Sequence, residues 1–480
     1  MEPSMQALHN AEENSRRNLS DEEKYSFSLL EERFEKLRQY IKQLKLDKDN
    51  STAQAHESVI VRLTHELGQA ALSEVLSQYD VSSDTIGING QTYRRKHKAP
   101  KTYQTAFGSV EVERHVYVNR KKDGNGKSIC PLELQAGIIE GYWTQVAAKN
   151  SAWALAHLTA QEVEDLLLQF GQMNPSRSSL DRLSKDVFTH WEPQTVEQHK
   201  SIMRSEKIPD EAVTAAISLD GVMVGMKPDN PVQEPVKKKS CEWREASCGT
   251  ISFFDKAGER LSTIQYGRMP EHKKATLKTL LQENIDVVMK ERPDLNIVHI
   301  ADGAQDNWCF FDEKMPLGFQ LTDFYHACQY LKAAFNAAYP NQPKKTIEKF
   351  NHYKKVLRDE KKGIVKTLRA LRYLRQKMKN NKDIHAAVTY FTNNQHRMKY
   401  ALAKENNYPI GSGIVEAACK SLVGQRMKRS GMSWGHHGGQ SILTLRSLVK
   451  SNRFEAAWKR IANHYLTKVT DHGNVVKLFD

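Results

Sequence analysis

Nowhere in its 480 residues does the chain run apolar for long enough, roughly 18 residues, to span a bilayer as a helix. Its first thirty residues, MEPSMQALHNAEENSRRNLSDEEKYSFSLL, also lack the apolar core of a secretory leader. Both absences predict a cytoplasmic protein with no membrane partner. Cysteine is scarce: Cys130, Cys241, Cys248, Cys309, Cys328 and Cys419 form no C-x-x-C pair, and most lie in apolar segments. That argues against a zinc site or a disulfide framework and predicts reduced core thiols. Acids are outnumbered, 57 against 71 Lys plus Arg, for a formal charge of +14. A basic excess of this size points to a polyanionic partner, nucleic acid first, and leaves the fold open. The length allows roughly two to four domains.

What is present divides the chain. Residues 1–90 are charged and helix-prone, with Phe27, Leu30, Phe34, Leu37 and Ile41 at three- and four-residue steps and a second helical run from His56 to Gln78. Residues 91–130 switch to a period of two around Phe107-Gly108-Ser109, which predicts a β-hairpin. Its arms carry Arg94, Arg95, Lys96, Lys98, Lys101 and Arg114, placed either to follow a phosphate backbone or to protect an exposed edge. Residues 131–210 are helical. Within them a helix over Thr159–Phe170, a Gly-containing turn, and a second helix over Ser176–Trp191 have the form of a helix-turn-helix, with Arg177 at the start of the reading helix. Any capped helical hairpin looks similar.

Residues 211–338 read as strands first and helices after. Apolar, β-branched runs at Ala212–Met226, Glu245–Phe254 and Arg260–Tyr266 precede a helix with apolar residues at Leu277, Leu280, Leu281, Ile285, Val288 and Met289. Short strands at Asn296–Ala301 and Phe319–Thr322 then lead into a helix over Ala327–Ala338. This order predicts a mixed sheet flanked by helices, an α/β core in a multidomain α+β chain. Residues 339–405 are polar, basic and helical, an insertion. Residues 406–480 return to the core with C-terminal helices. They begin with NNYPIGSGIVEAACKSLVGQRMKRSGMSW, which puts Glu416 in the first turn of a helix.

Three acids stand out. Asp220 and Asp302 each end an apolar strand and precede a Gly, which alone is the context of a turn residue. Together they place two carboxylates on neighbouring strands, where a carboxylate must be paired, hydrogen-bonded or metal-bound. With Glu416 they make a set of hard oxygen donors suited to Mg²⁺, or Mn²⁺ in its place. Two such ions activate a hydroxyl and stabilise the leaving oxygen in a phosphoryl transfer.

Four motifs carry a family resemblance: Ser218-Leu219-Asp220-Gly221, Ala301-Asp302-Gly303-x₄-Trp308, Asp323-x-x-His326-Ala327-x-x-Tyr330-Leu331, and Pro409-Ile410-Gly411-Ser412-Gly413-x-x-Glu416-Ala417-x-x-Lys420. The chain resembles the DDE transposases of bacterial insertion sequences of the ISKra type over about residues 93–453. The resemblance implies an RNase H-like core with Asp220, Asp302 and Glu416 as the metal-binding catalytic triad. It further implies work on double-stranded DNA at the nucleoid, on element ends and target, by a homo-oligomer of two or more copies. Asp323 and His326 would support the triad or touch a phosphate, against a plain helix cap with a core His. Asp306 is a rival ligand. Lys420 would reach the scissile phosphate or pair with Glu416. Arg426, Lys428, Arg429 and Arg446 would clamp the DNA backbone, and Trp434 would stack on an unpaired base or pack in the core. A structure-specific RNase H-like nuclease and a domesticated, non-catalytic DNA-binding protein are the alternatives.

Overall fold

Alternation of apolar and polar side chains between Tyr93 and Val118 builds a β-ribbon, and in the computed structural model that ribbon is the middle of a larger sheet. The structure describes residues 21–44, 53–119, 126, 128–170, 173–228 and 241–472. These fall into two units, residues 1–187 with 458–480, and residues 188–457.

In the first unit, helices α1 (Asp21–Leu44) and α2 (Ala53–Ser77) lie side by side, joined by an Arg33–Glu66 ion pair of 2.8 Å and by Tyr40 Oη against His56 Nδ1 at 2.9 Å. Strands β1 (Thr85–Ile88), β2 (Gln91–Thr105), β3 (Gly108–Val118) and β4 (Ser128–Ile129) pair antiparallel in sequence order. A short strand at Thr470–Asp471 adds itself to β1. The hairpin is therefore not a free ribbon. Leu76, Tyr103, Val110, Val112, Cys130 and Leu132 form a core beneath it. Lys101 and Arg114 are tied to Glu133 at 2.7 and 3.6 Å and Arg95 to Asp84 at 2.8 Å, while Arg94 and Lys96 stay exposed. Helices α3 (Pro131–Gln135), α4 (Gln145–His157), α5 (Ala160–Gln169) and α6 (Arg177–Thr189) follow. The α5 N-terminus closes with a reciprocal Thr159/Glu162 capping box.

The second unit starts with α7 (Thr195–Ser205) and contains a five-stranded sheet in the order β7-β6-β5-β8-β9. Strands β5 (Thr214–Met226), β6 (Glu242–Phe254) and β7 (Arg260–Arg268) form an antiparallel meander. The other side is parallel: β8 (Asn296–Ala301) pairs with β5, and β9 (Phe319–Thr322) pairs with β8. A parallel pair needs a crossover, supplied here by helices α8 (Ala275–Glu291) and α9 (Gln305–Lys314). Helix α9 stands between the two short strands, where the sequence pattern placed no element. Its Trp308, Phe310 and Phe311 are buried, so its apolar residues cover the sheet.

Alternation assigns the two sheet faces. Ala215, Ile217 and Leu219 of β5, with Ile297 and Ala301 of β8, pack under α8 and α9. Ala216, Val298 and Ile300 point the other way, into a cluster with α10 (Phe324–Ala338). The insertion completes that cluster. Its helices α11 (Pro343–Asp359), α12 (Gly363–Lys377), α13 (Lys382–Asn394) and α14 (Tyr400–Glu405) bury Leu357, Leu368, Leu371, Leu374, Ile384, Val388 and Phe391. The insertion is thus a packed layer with one solvated basic side. Further along the same face, α15 (Gly413–Ala418) continues into a π-helical turn, Cys419–Gly424, and the turn Gln425–Met427. Its Val415, Ala418, Leu422 and Val423 cover Val224, Met226, Ala246 and Cys248. Helix α16 (His436–Lys450) packs on β7. Beyond it Arg453, 1% exposed, grips the Glu206 carboxylate through Nε at 2.9 Å and donates to the Tyr266 hydroxyl at 3.1 Å.

Candidate active site

The parallel register decides where the first two acids meet. Ser218 lies beside Ile300 in the β5/β8 pair, so Asp220 and Asp302, each two residues further on, come next to each other across the strands. Both share the parity of Ala216, Val298 and Ile300, the face covered by α10 and the insertion. One detail departs from the sequence reading: Asp220 does not end its strand. Its pairing to β6 continues through Gly221 to Met226, and only its pairing to β8 stops at Ser218. A carboxylate inside a strand, with one edge released, is the more demanding placement. A Cβ on Gly221 would stand 2.3 Å from Glu245 Cδ, so a larger residue there would have to displace the half-exposed Glu245 side chain.

Each carboxylate is held by local donors. Asp220 Oδ1 accepts from the Gly221 amide at 2.7 Å, and Cys419 Sγ lies 4.0 Å from Oδ2. Asp302 Oδ1 accepts from the Ala304 amide and from Asn307 Nδ2, both at 3.0 Å. Glu416 Oε1 accepts from the Ser412 hydroxyl at 3.2 Å. Burial raises the Asp220 carboxyl above its ordinary value; the Gly221 bond opposes this, and the charges of Asp302 and Glu416 add to it. Asp220 therefore feels the charge of both other acids. Among the described residues, no three His, Cys, Asp or Glu side chains stand close enough to enclose a metal ion by themselves. The donor chemistry still fits a hard cation. Magnesium is commonly held by one or two carboxylates, with water and substrate phosphates completing its shell.

Sequence reasoning missed Lys274, the cation whose charge lowers Asp220 again. It pairs with Glu245 at 2.9 Å and sits with Lys273 in left-handed backbone, φ 55° and 51°. Non-glycine residues held there are strained and concentrate at functional sites. The only signal in the sequence was the basic run His272-Lys273-Lys274 ahead of a helix.

Asp323, 1% exposed, ties the third acid's turn to the sheet. Its Oδ1 accepts from the His326 amide at 2.5 Å and caps α10, while Oδ2 accepts from the Ser412 amide. Gly411 fits under Tyr325, where a Cβ would meet the ring at 2.6 Å. Asp323 thus sets where Ser412, and through it Glu416, stands. Asp323→Ala is expected to destabilise the fold by about 2–3 kcal/mol, because two backbone donors lose their acceptor. Amide hydrogen exchange at residues 411–418 should quicken beyond the global change. Unchanged exchange there would show that the turn holds itself.

The remaining expected residues are spread out. His326 is half-buried against the rings of Tyr330 and Tyr390, with centroids at 5.6 and 5.9 Å. Asp306 is engaged by Lys278 at 2.5 Å. Lys420 and Lys428 are exposed and Arg429 half-exposed. Arg426 and Arg446 are 4% and 2% exposed, which corrects their assignment as surface clamps on a DNA backbone. Burial, with the charges of Arg426 and Arg429, pulls the Arg446 guanidinium down to about 10. Trp434 lies against the α15 core, donates Nε1 to the Met427 carbonyl at 3.0 Å and has Arg426 over its ring, so packing is the role it displays. The exposed tryptophan of this sheet is Trp243, with Lys428 over its ring at 5.8 Å. Arg177 is exposed at the start of α6, and its amide donates to Glu164 of α5 at 2.8 Å.

No protein-family profile matches the chain, and no curated protein matches it. Among solved structures it is similar to the Drosophila P element transposase strand transfer complex, at 10% identity and a TM-score of 0.25, over 68% of this chain and 82% of that one. A score that low does not define a shared fold.

Proposed function

We propose that the protein is a DDE transposase of an insertion sequence, one that binds element ends, cuts DNA and joins the freed 3′-hydroxyl to a target. The observation that carries this reading is the placement of Asp220 and Asp302, each two residues beyond the last β5/β8 pair of Ser218 with Ile300, with the Glu416 helix packed on the Asp220 face of the sheet. The sheet order, three antiparallel strands followed on one side by two parallel ones, is compatible with an RNase H-like core. The net charge of +14 suits a DNA substrate.

Asp220, Asp302 and Glu416 would hold two Mg²⁺ ions, which supply a polarised nucleophile and charge stabilisation at the leaving oxygen. The chain's own part is placement. Asn307 and the Ala304 amide orient Asp302, the Gly221 amide orients Asp220, and Ser412 orients Glu416. Lys274 balances part of the negative charge. Exposed Lys420 and Lys428 lie on the same run of chain as Glu416 and would meet the backbone phosphates of the bound duplex.

The test uses purified full-length protein and a labelled duplex carrying a candidate element end, taken from the sequence beside its reading frame. With Mg²⁺ the expected products are strands ending in 3′-hydroxyl and, with added target, joined molecules. With Ca²⁺, binding without cutting is expected. Cutting of branched or mismatched duplexes without joining would favour the nuclease, and binding without cutting in Mg²⁺ would favour the domesticated DNA-binding protein.

A further inference from the structure

One buried group at this site has no task in the fold. Helix α13 of the insertion carries Tyr390, 9% exposed, and its hydroxyl has no hydrogen-bond partner among the described residues. A buried hydroxyl left unpaired is costly, so its retention calls for an explanation. The ring itself is well supported: it stacks on Tyr330 at 4.1 Å and 14°, and edges toward His326 at 5.9 Å. It also presses on the residue next to Asp302, since a Cβ on Gly303 would stand 2.5 Å from Tyr390 Cε2. The charges of Asp302 and Asp323 act on its phenol, so the hydroxyl lies within electrostatic range of the acids.

We propose that the Tyr390 hydroxyl is a catalytic hydrogen-bond donor, delivered by the insertion to a nonbridging oxygen of a scissile phosphate bound against Asp302. This rests on the phosphoryl-transfer reading of the site. The donor is rigid before substrate arrives, because stacking on Tyr330 and contact with Gly303 fix the ring. No bond to the tyrosine forms or breaks. The O–H proton stays on the phenol and is shared with an oxygen that gains charge as the phosphoryl group transfers. An oxyanion arriving there supplies the partner the hydroxyl lacks.

The experiment compares wild type with Tyr390→Phe on the end duplex in Mg²⁺. Cutting is expected to slow about 10²-fold, with end binding in Ca²⁺ unchanged. The thermal midpoint should stay level or rise, because the lost hydroxyl had no partner; a tyrosine kept for structure would lower it. A second arm replaces one nonbridging oxygen of the scissile phosphate with sulfur. The substitution should slow wild type more than Tyr390→Phe, in which that contact is already gone. If wild type cuts and Tyr390→Phe cuts within threefold of it, the proposal is overturned while the function stands. If wild type cuts no duplex and Asp302→Asn behaves the same, the phosphoryl-transfer reading falls and this proposal with it.

Discussion

Asp302→Asn is expected to lower Mg²⁺-dependent strand cutting by about 10³-fold or more, a loss of at least about 4 kcal/mol of transition-state stabilisation. The amide has nearly the shape of the carboxylate. Its oxygen can still accept from the Ala304 amide and Asn307, so the end of β8 should keep its form. What it lacks is negative charge facing Asp220. Asp220→Asn and Glu416→Gln are expected to do the same, and the double variant Asp302→Asn/Glu416→Gln should be little worse than either single one, because ligands of one centre fail as a unit. End binding in Ca²⁺ separates lost chemistry from lost affinity. If all three single variants cut within tenfold of wild type, these acids are not the ligands.

Acid is expected to weaken the second unit as soon as the pH falls below about 6.5, the ordinary histidine value. His199 and His299 are 3% and 1% exposed. Burial, aided at His199 by the charges of Arg453 and Arg268, pulls His199 down to about 3; burial pulls His299 down to about 4, against the opposing charge of Asp312. His299 lies flat on Phe311, centroids 4.6 Å apart at 7°, with both ring nitrogens unpartnered among the described residues. Both rings are neutral when folded and take up a proton on unfolding below the ordinary value of 6.5. The folded pKa is depressed, so the stabilisation is whole above pH 6.5 and drains as pH falls toward the folded values. At pH 5 each histidine has withdrawn about 2 kcal/mol, about 4 kcal/mol together. Urea denaturation at pH 7.5, 6 and 5 measures this, and His299→Phe should remove about half of the slope. Equal midpoints at pH 7.5 and 5 would mean that the rings are hydrated.

Much of this fold could be read from periodicity and much of it could not, for reasons that differ by element. Strands β5 and β8 declared themselves because strands buried on both faces are apolar through most of their length, as in Asn296–Ala301. The ribbon of β2 and β3 was visible through its alternation and its turn. Its neighbours were not: β4 and Thr470–Asp471 are two residues each, too short to show a period, and one comes from the far end of the chain. Helix α9 hid because DNWCFF mixes polar and aromatic residues without a clean stripe. At the site, the three acids could be found as carboxylates in apolar company. Their partners could not. Lys274 reaches Asp220 through a left-handed turn, Tyr390 comes from an insertion whose composition reads as a solvated face, and Asp323 looks like any helix cap until its second oxygen is followed to Ser412. Arg426 and Arg446 were misjudged for one reason: residue type told of affinity for phosphate, and burial was decided by packing, of α16 for Arg446 and of the helical run from α15 for Arg426.

That helical run also sets the order in which the molecule can be made. Val224, Met226, Ala246 and Cys248 share a cluster with Met269, with residues 415 to 427 and with Trp434 and Leu443, so most of their cover is encoded about 170 residues or more after Cys248. At a ribosome's pace of roughly 5–20 residues per second, the greasy half of β5 and β6 waits about 10–35 s for it. During that interval the growing chain presents an apolar edge to its surroundings. A product broken off before residue 413 would carry that edge permanently, along with the whole of α1 to α6. Shortened copies should therefore precipitate or be captured by chaperones, unlike the finished chain.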